Sequence, residues 1–357
     1  MKKILALLLA LVMVLALTAC GGSNNSASEA PAGDAQAAEP AEPAGEPTAE
    51  DPAGEAGQAY NVGIIQLIEH VALDAASQGF MDRLTELVEA DGNTVSFDYQ
   101  NAQGDSANCA TIANSQVSNG VDLILANATA PLQAAVAATA DIPILGTSIT
   151  DFATALDVPG EEWTGVSGIN VSGTCDLAPL DGQAQVFAEL CPVEEYPNVG
   201  VLYCSGEPNS VYQATVITGY LEELGYTVTA YTFADSNDIA SVVQNACDNC
   251  DVLYIPTDNT AANATSAVDS VAAVAGKPII VGEEGIMIGC GIATLTINYY
   301  DLGVAAGEMA YEILANGADV STMPIQFAPQ VTKEYYPERC EALGITVPAD
   351  YVAYSAE

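Results

Sequence analysis

The sequence predicts an α/β protein made of two similar doubly wound parallel-sheet lobes, with a hinge and an interlobe cleft. Three observations carry this reading. Short apolar runs alternate with amphipathic segments through most of the 357 residues. The alternation repeats itself in register. Strand and helix segments remain after both repeats are complete, and they fit as crossings between lobes.

The first strand is the apolar run Asn61–Gln66, continuous rather than alternating, as a strand buried on both faces must be. Residues 73–90 place Leu73, Ala76, Phe80, Leu84, Leu87 and Val88 on one helical face. Strands follow at Thr94–Tyr99, Leu123–Ala126 and Pro143–Gly146, with helices at 106–118 and 131–139. Asn198–Tyr203 then echoes Asn61–Gln66, Gly219-Tyr220 echoes Gly79-Phe80, and Leu224–Val228 echoes Asp91–Val95. Asp251–Tyr254 echoes Asp122–Leu125, and Lys277–Gly282 echoes Ile142–Gly146. Every offset falls between 129 and 140 residues. The leftover segments are a strand at Ala293–Ile297, a helix at Leu302–Asn316, a short strand at Pro324–Ala328 and a helix at 334–343. The expected partition is residues 59–168 plus about 291–327 for the first lobe, and 169–290 plus about 328–357 for the second.

The N-terminus reads as an address. Lys2 and Lys3 precede an apolar run from Ile4 to Leu17 that suits a secretory signal. The run ends in Leu17-Thr18-Ala19-Cys20, the pattern of a bacterial lipoprotein signal over residues 1–20 with Cys20 as the acylated residue. Residues 21–58 are mostly Ala, Glu, Pro and Gly with no aromatic residue, and read as a disordered acidic tether. The expected location is extracytoplasmic, with the membrane reached through the lipid.

The chain carries 47 acidic residues against 6 Lys plus Arg, a formal charge of −41. From residue 59 onward the only cations are Arg83, Lys277, Lys333 and Arg339. Nucleic-acid binding needs clustered cations and is excluded. A polyanionic ligand would meet a repulsive field. With His70 the single histidine, no metal site is expected. There is no Gly-x-Ser-x-Gly elbow, P-loop or His-Glu-x-x-His, so neither enzymatic activity nor a cofactor is expected.

Ligands of open parallel sheets sit at the carboxyl ends of the strands. The loops there hold Gln66, Glu69 and His70, then Asn127 and Thr129, then Thr147, Ser148, Thr150 and Asp151. In the second half they hold Ser205, Glu207, Asn209 and Ser210, then Asp258 and Asn259, then Glu283 and Glu284, of which Glu284 is taken as the ligand contact. Taken alone, Asn127, Ser210 or Asp258 is as readily a helix N-cap as a ligand contact. Together they describe a small zwitterion. Acids meet its amine, while backbone N–H groups, Thr129 and Ser148 meet its carboxylate, because no guanidinium is well placed.

At these loops the sequence resembles the substrate-binding lipoproteins of bacterial ABC transporters assigned to tryptophan, tyrosine and related amino acids. The matching runs are Gln66-Leu-Ile-Glu69-His70-Val-Ala-Leu73-Asp74, Gln100-Asn-Ala-Gln-Gly104-Asp105 and Asn127-Ala-Thr129-Ala-Pro131. They continue through Thr150-Asp151, Thr164-Gly165-Val-Ser167, Glu207-Pro-Asn209-Ser210, Tyr254-Ile-Pro256-Thr-Asp258-Asn259 and Tyr299-Tyr-Asp301-Leu302-Gly303. The resemblance spans about residues 60–347 and implies the type I periplasmic-binding-protein fold. It implies a protein that closes on an amino acid, aromatic by expectation, and delivers it to an ABC permease and its ATPase. It further implies that Thr129, Ser148 and Thr150 hold the ligand carboxylate and Asp258 the amine. Phe152 stands where proline is expected after Asp151, and Gly168 where aspartate is expected after Ser167. The alternative within the same fold is a ligand-sensing receptor ectodomain.

Eight cysteines remain beyond Cys20. Cys247-Asp-Asn-Cys250 has the spacing of a redox motif, but it ends a helix and precedes a strand, where no helix N-terminus activates a thiol. Structural thiols or a local disulfide are expected.

Overall fold

The computed structural model describes residues 57–355. The lipoprotein signal, Cys20 and nearly all of the acidic tether lie outside the described residues. The elements of the first half are β1 (Ala59–Gln66), α1 (Val71–Ala90), β2 (Thr94–Asn101), α2 (Ser106–Asn119), β3 (Leu123–Asn127), α3 (Thr129–Ala138), β4 (Ile144–Ile149), α4 (Phe152–Ala155) and β5 (Val171–Cys175). Next come α5 (Leu180–Leu190), β6 (Asn198–Cys204), α6 (Pro208–Glu223), β7 (Thr227–Phe233), α7 (Ile239–Asn249), β8 (Val252–Ile255), α8 (Asn259–Asn263), α9 (Thr265–Ala275), β9 (Ile279–Val281), α10 (Glu284–Gly289) and β10 (Ala293–Thr296). The last are α11 (Tyr299–Leu314), β11 (Gln326–Phe327), β12 (Thr332–Tyr335), α12 (Pro337–Leu343) and β13 (Val352–Ala353).

Two sheets result. One has six strands in the order β11-β5-β4-β3-β1-β2, the other seven in the order β13-β12-β10-β9-β8-β6-β7. Every pairing is parallel except β10 with β12. Each sheet is covered on both faces by an apolar core. The chain passes between lobes three times, at residues 176–179, 297–298 and 328–331.

These crossings correct the expected partition. Val171–Cys175 belongs to the first sheet, so the first crossing falls after Cys175 and not at residue 168. The pair Gly146 and Gly173 permits this pairing. Gly173 has φ +146°, and a Cβ there would lie 1.9 Å from the Gly146 carbonyl oxygen. Ala293–Thr296 belongs to the second sheet, beside β9, because the short α10 returns the chain to the neighbouring position. The final helix begins at Pro337 rather than 334, since Thr332–Tyr335 forms β12.

Helix α11 returns to the first lobe and packs on α1. The two backbones touch through glycine. A Cβ at Gly303 would sit 2.0 Å from the Ala76 carbonyl oxygen, and one at Gly79 would sit 2.1 Å from that of Tyr300. Nothing flexible stands in the way, so the helices themselves would have to part. Gly303→Ala is expected to destabilise the fold by about 1–3 kcal/mol, read as a lowered urea midpoint by circular dichroism.

Candidate ligand-binding cleft

The carboxyl ends of β1, β3, β4 and β5 face those of β6, β8 and β9, and side chains from the two lobes meet there. His70 Nε2 lies 3.2 Å from Asn259 Oδ1, Asn263 Nδ2 donates to the Glu69 carbonyl at 2.9 Å, and Gln213 Nε2 donates to Thr150 Oγ1 at 3.0 Å. Two grooves open along this seam. One, of about 270 Å³, includes Leu67, Ile68, Gly104, Glu207 and Asn259 in its walls, and the other, of about 220 Å³, includes His70, Asn263 and Gly285.

In the first lobe Gln66 and Asn127 are fully buried structural pins. Gln66 donates to Asp74 at 2.6 Å and to the Ile68 carbonyl at 3.0 Å, and accepts from Ser77 at 2.7 Å. Asn127 donates to the Leu73 carbonyl and to Ser77. They bind α1 to the sheet and have no amide hydrogen aimed at the cleft. Thr147 is equally internal, accepting from Thr174 at 3.0 Å. The loop tip differs. Ala128 and Ser148 take φ values of +96° and +56°, a conformation that costs a non-glycine residue on the order of 1–3 kcal/mol. Ala128 offers α3 no side-chain cap, which leaves the N–H groups of the first turn beside Thr129. The Ser148 hydroxyl is buried with no hydrogen-bond partner. Uncapped N–H groups and an unused hydroxyl are neutral donors of the kind an anion can use.

In the second lobe the predicted acids are occupied. Glu207 accepts from the Asn259 and Thr260 backbone N–H groups at 3.0 and 2.9 Å, from the Asn259 amide at 2.8 Å and from the Thr260 hydroxyl at 2.6 Å. Asn209 also donates to it and Ser210 approaches it at 3.5 Å, both being buried. Asp258 accepts from the Ala261 N–H at 2.8 Å and the Cys204 N–H at 2.6 Å, and is 1% exposed. Burial, reinforced by the Glu207 charge, pushes its pKa up. Asp258 therefore caps α8 and does not present itself to an amine, contrary to the role the resemblance implied. Asp151 likewise caps α4, accepting from Thr154 N–H at 2.7 Å. Glu69 is exposed, Ser205 is exposed with its hydroxyl donating to the Phe233 carbonyl at 3.2 Å, and Glu284 is half-buried at the start of α10.

The structure adds residues that were not predicted. Gln213 spans the seam, donating to Thr150 and accepting from the Thr257 N–H at 3.1 Å. Glu283 is buried and caps α10 through Gly285 and Ile286, both at 2.6 Å. Burial raises its pKa to about 7. Asp176 follows β5 at the first crossing, where it accepts from the Tyr299 hydroxyl at 2.8 Å. Burial raises its pKa to about 6, against the pull of the Tyr299 and Thr150 hydroxyls.

His70 closes the seam in a defined tautomer. The Asn259 amide nitrogen is committed to Glu207, so its oxygen faces His70 and accepts from Nε2–H. Nδ1 is then the bare nitrogen, buried without a partner. Desolvation lowers the pKa of His70, while Asn259, Asp74 and Glu207 oppose the shift. A base whose pKa falls on closure favours the closed form only while neutral, so that contribution is lost as pH drops below its ordinary value of about 6.5. The His70-dependent part of ligand affinity is expected to weaken as pH falls below about 6.5. His70→Ala is expected to flatten this part of the profile and to cost about 2- to 10-fold in affinity at neutral pH, measured by titration calorimetry.

The sequence profile of the family described as ABC transporter substrate binding protein matches residues 61–357. A tyrosine-binding protein of Clostridioides difficile (strain R20291) is 37% identical over 265 residues, covering 74% of this chain and 75% of its own. A crystal structure from Streptococcus pneumonia, an ABC domain in complex with L-Trp, is 30% identical with a TM-score of 0.78, covering 83% of this chain and 99% of that one. The ligand-free, open form of a substrate-binding protein with adhesive properties from Clostridium difficile is 33% identical, yet its TM-score is 0.61, covering 84% and 100%. The lobes thus stand nearer the ligand-bound arrangement than the open one, in agreement with the hydrogen bonds across the seam. With its two parallel-sheet lobes, facing strand ends and a profile match that spans both, the chain belongs to the ABC transporter substrate-binding protein family.

Proposed function

We propose that this protein captures an aromatic amino acid between its lobes, without altering it chemically, and delivers it to the permease of an ABC importer. We place it outside the cytoplasm, anchored through a lipid on Cys20. The observation that carries the ligand class is the neutral carboxylate receptor made by the first turn of α3 with Thr129 and the unpartnered Ser148 hydroxyl. The few cations are engaged elsewhere or lie outside the cleft. Arg83 pairs with Glu86 and Glu308, Lys333 with Glu189 and Asp350, and Arg339 with Asp269 and the carbonyl groups that end α10. Lys277 borders a separate groove beside Arg339. The name of the tyrosine-binding relative and the L-Trp complex support the aromatic side chain.

Calorimetry against the twenty amino acids is expected to show L-tyrosine or L-tryptophan binding in the micromolar range or tighter. Binding no tighter than millimolar for all twenty would overturn the assignment. Cys20→Ser is expected to move the protein from the membrane fraction to the soluble fraction, as read by fractionation and immunoblotting.

A further inference from the structure

We infer that Glu207 is a positioning residue for lobe closure. It fixes which end of the Asn259 amide crosses the seam, and through Asn259 it locks the ring of His70 onto the second lobe. This rests on the reading of the protein as one that closes on an amino acid. It concerns the residues that hold the lobes together, not those that touch the ligand.

An asparagine amide has no orientation of its own. Its oxygen and nitrogen are nearly the same size, and the group turns end over end until a partner decides. Glu207 is that partner. An ionised carboxylate only accepts hydrogen bonds. Its Oε2 receives two groups of Asn259, the backbone N–H at 3.0 Å and the side-chain amide at 2.8 Å. The end of the amide turned to Glu207 is therefore the NH2. The amide oxygen points the other way, to His70 Nε2 at 3.2 Å. The second carboxylate oxygen, Oε1, accepts from the Thr260 N–H at 2.9 Å and its hydroxyl at 2.6 Å. One side chain at the start of α6 thus seats the first turn of α8 and aims the acceptor that meets the first lobe.

The spacing on α8 makes that aim matter. Asn259 and Asn263 are four residues apart and share one helical face. Asn263 donates to the Glu69 carbonyl at 2.9 Å, beside the bond from His70 to Asn259. Residues 69 and 70 belong to the first lobe and α8 to the second, so both bonds exist only while the lobes are together. Asn259 is only 7% exposed, so water offers little replacement if its amide turns the wrong way. Without Glu207 the amide loses the acceptor that holds its nitrogen back. His70 then loses a fixed partner for Nε2–H.

His70 is the only histidine in the chain, so its ring gives one unambiguous pair of nitrogen signals. The test uses the mature, folded protein labelled with 15N-histidine, with L-tyrosine as the probe, at about pH 7.5, where an imidazole of ordinary pKa is neutral. Nuclear magnetic resonance of the ligand-bound wild type is expected to show a slowly exchanging proton on Nε2 and a bare Nδ1. The ligand-free protein in its open form is expected to lose that protection. Glu207→Met keeps the length of the side chain and removes both carboxylate oxygens. It is expected to weaken L-tyrosine by roughly 10-fold or more and to abolish the protected Nε2 proton in the bound form. A purely structural role for Glu207 lowers stability and affinity but leaves that proton in place. A saturated Glu207→Met protein that keeps it therefore overturns the assignment, whatever its affinity. Should the variant fail to fold or to bind, the wild-type spectrum decides. A proton on Nδ1, or no protected ring proton in the bound protein, overturns the assignment, and a protected Nε2 proton that appears only with ligand upholds it. Failure of the wild-type protein to bind either L-tyrosine or L-tryptophan instead overturns the parent reading, and this assignment with it.

Discussion

The hydrogen bond from the Tyr299 hydroxyl to Asp176, 2.8 Å long, joins the first chain crossing to the start of the helix that follows the second. Around it lie small or apolar side chains, Ala72, Ala76, Ala178, Ile297 and Leu302. These fill the space between lobes without polar groups that could bind a ligand. The cleft's polar character is therefore concentrated at the strand ends, and two of the three crossings are joined at one buried carboxylate. The Tyr299–Asp176 hydrogen bond thereby fastens the first crossing to the second.

A second constraint is charge. From residue 59 the chain has 39 acids and only 4 bases, so few acids can be neutralised by ion pairs. Helix N-termini take up part of the excess. Asp105, Asp151, Asp258, Glu283 and Asp319 each accept backbone N–H groups there, where the partial positive charge of the helix end favours an anion. Glu207 does so at a distance, reaching from the start of α6 to that of α8. Most acids close to the cleft thus serve the fold.

This explains what the sequence made legible and what it hid. β1, β3 and β4 were readable because strands buried on both faces are runs of Ile, Leu and Val. β5 was hidden because Val171-Ser-Gly-Thr-Cys175 carries hydroxyls and a glycine in a fully buried strand. Those hydroxyls are satisfied by partners distant in sequence, Ser172 by the Met323 carbonyl and Thr174 by Thr147. Missing β5 displaced the lobe boundary and removed Asp176 from view. The polar loops were correctly located at the strand ends, but an acid after a strand can cap a helix or face a ligand. Only the tertiary arrangement decides between these for Asp258 and Glu207.

The eight cysteines of the described region are all buried and unpaired. Burial raises the thiol pKa of each, to about 11 at Cys109 and Cys340 and about 12 at Cys175. A thiol kept protonated and out of reach of solvent is a poor nucleophile, so these sulfurs are inert while the chain is folded. The described fold is held together without a disulfide among these eight cysteines. The same sulfurs become reactive as soon as a lobe opens far enough to expose its core, which gives the molecule eight internal reporters of its own unfolding.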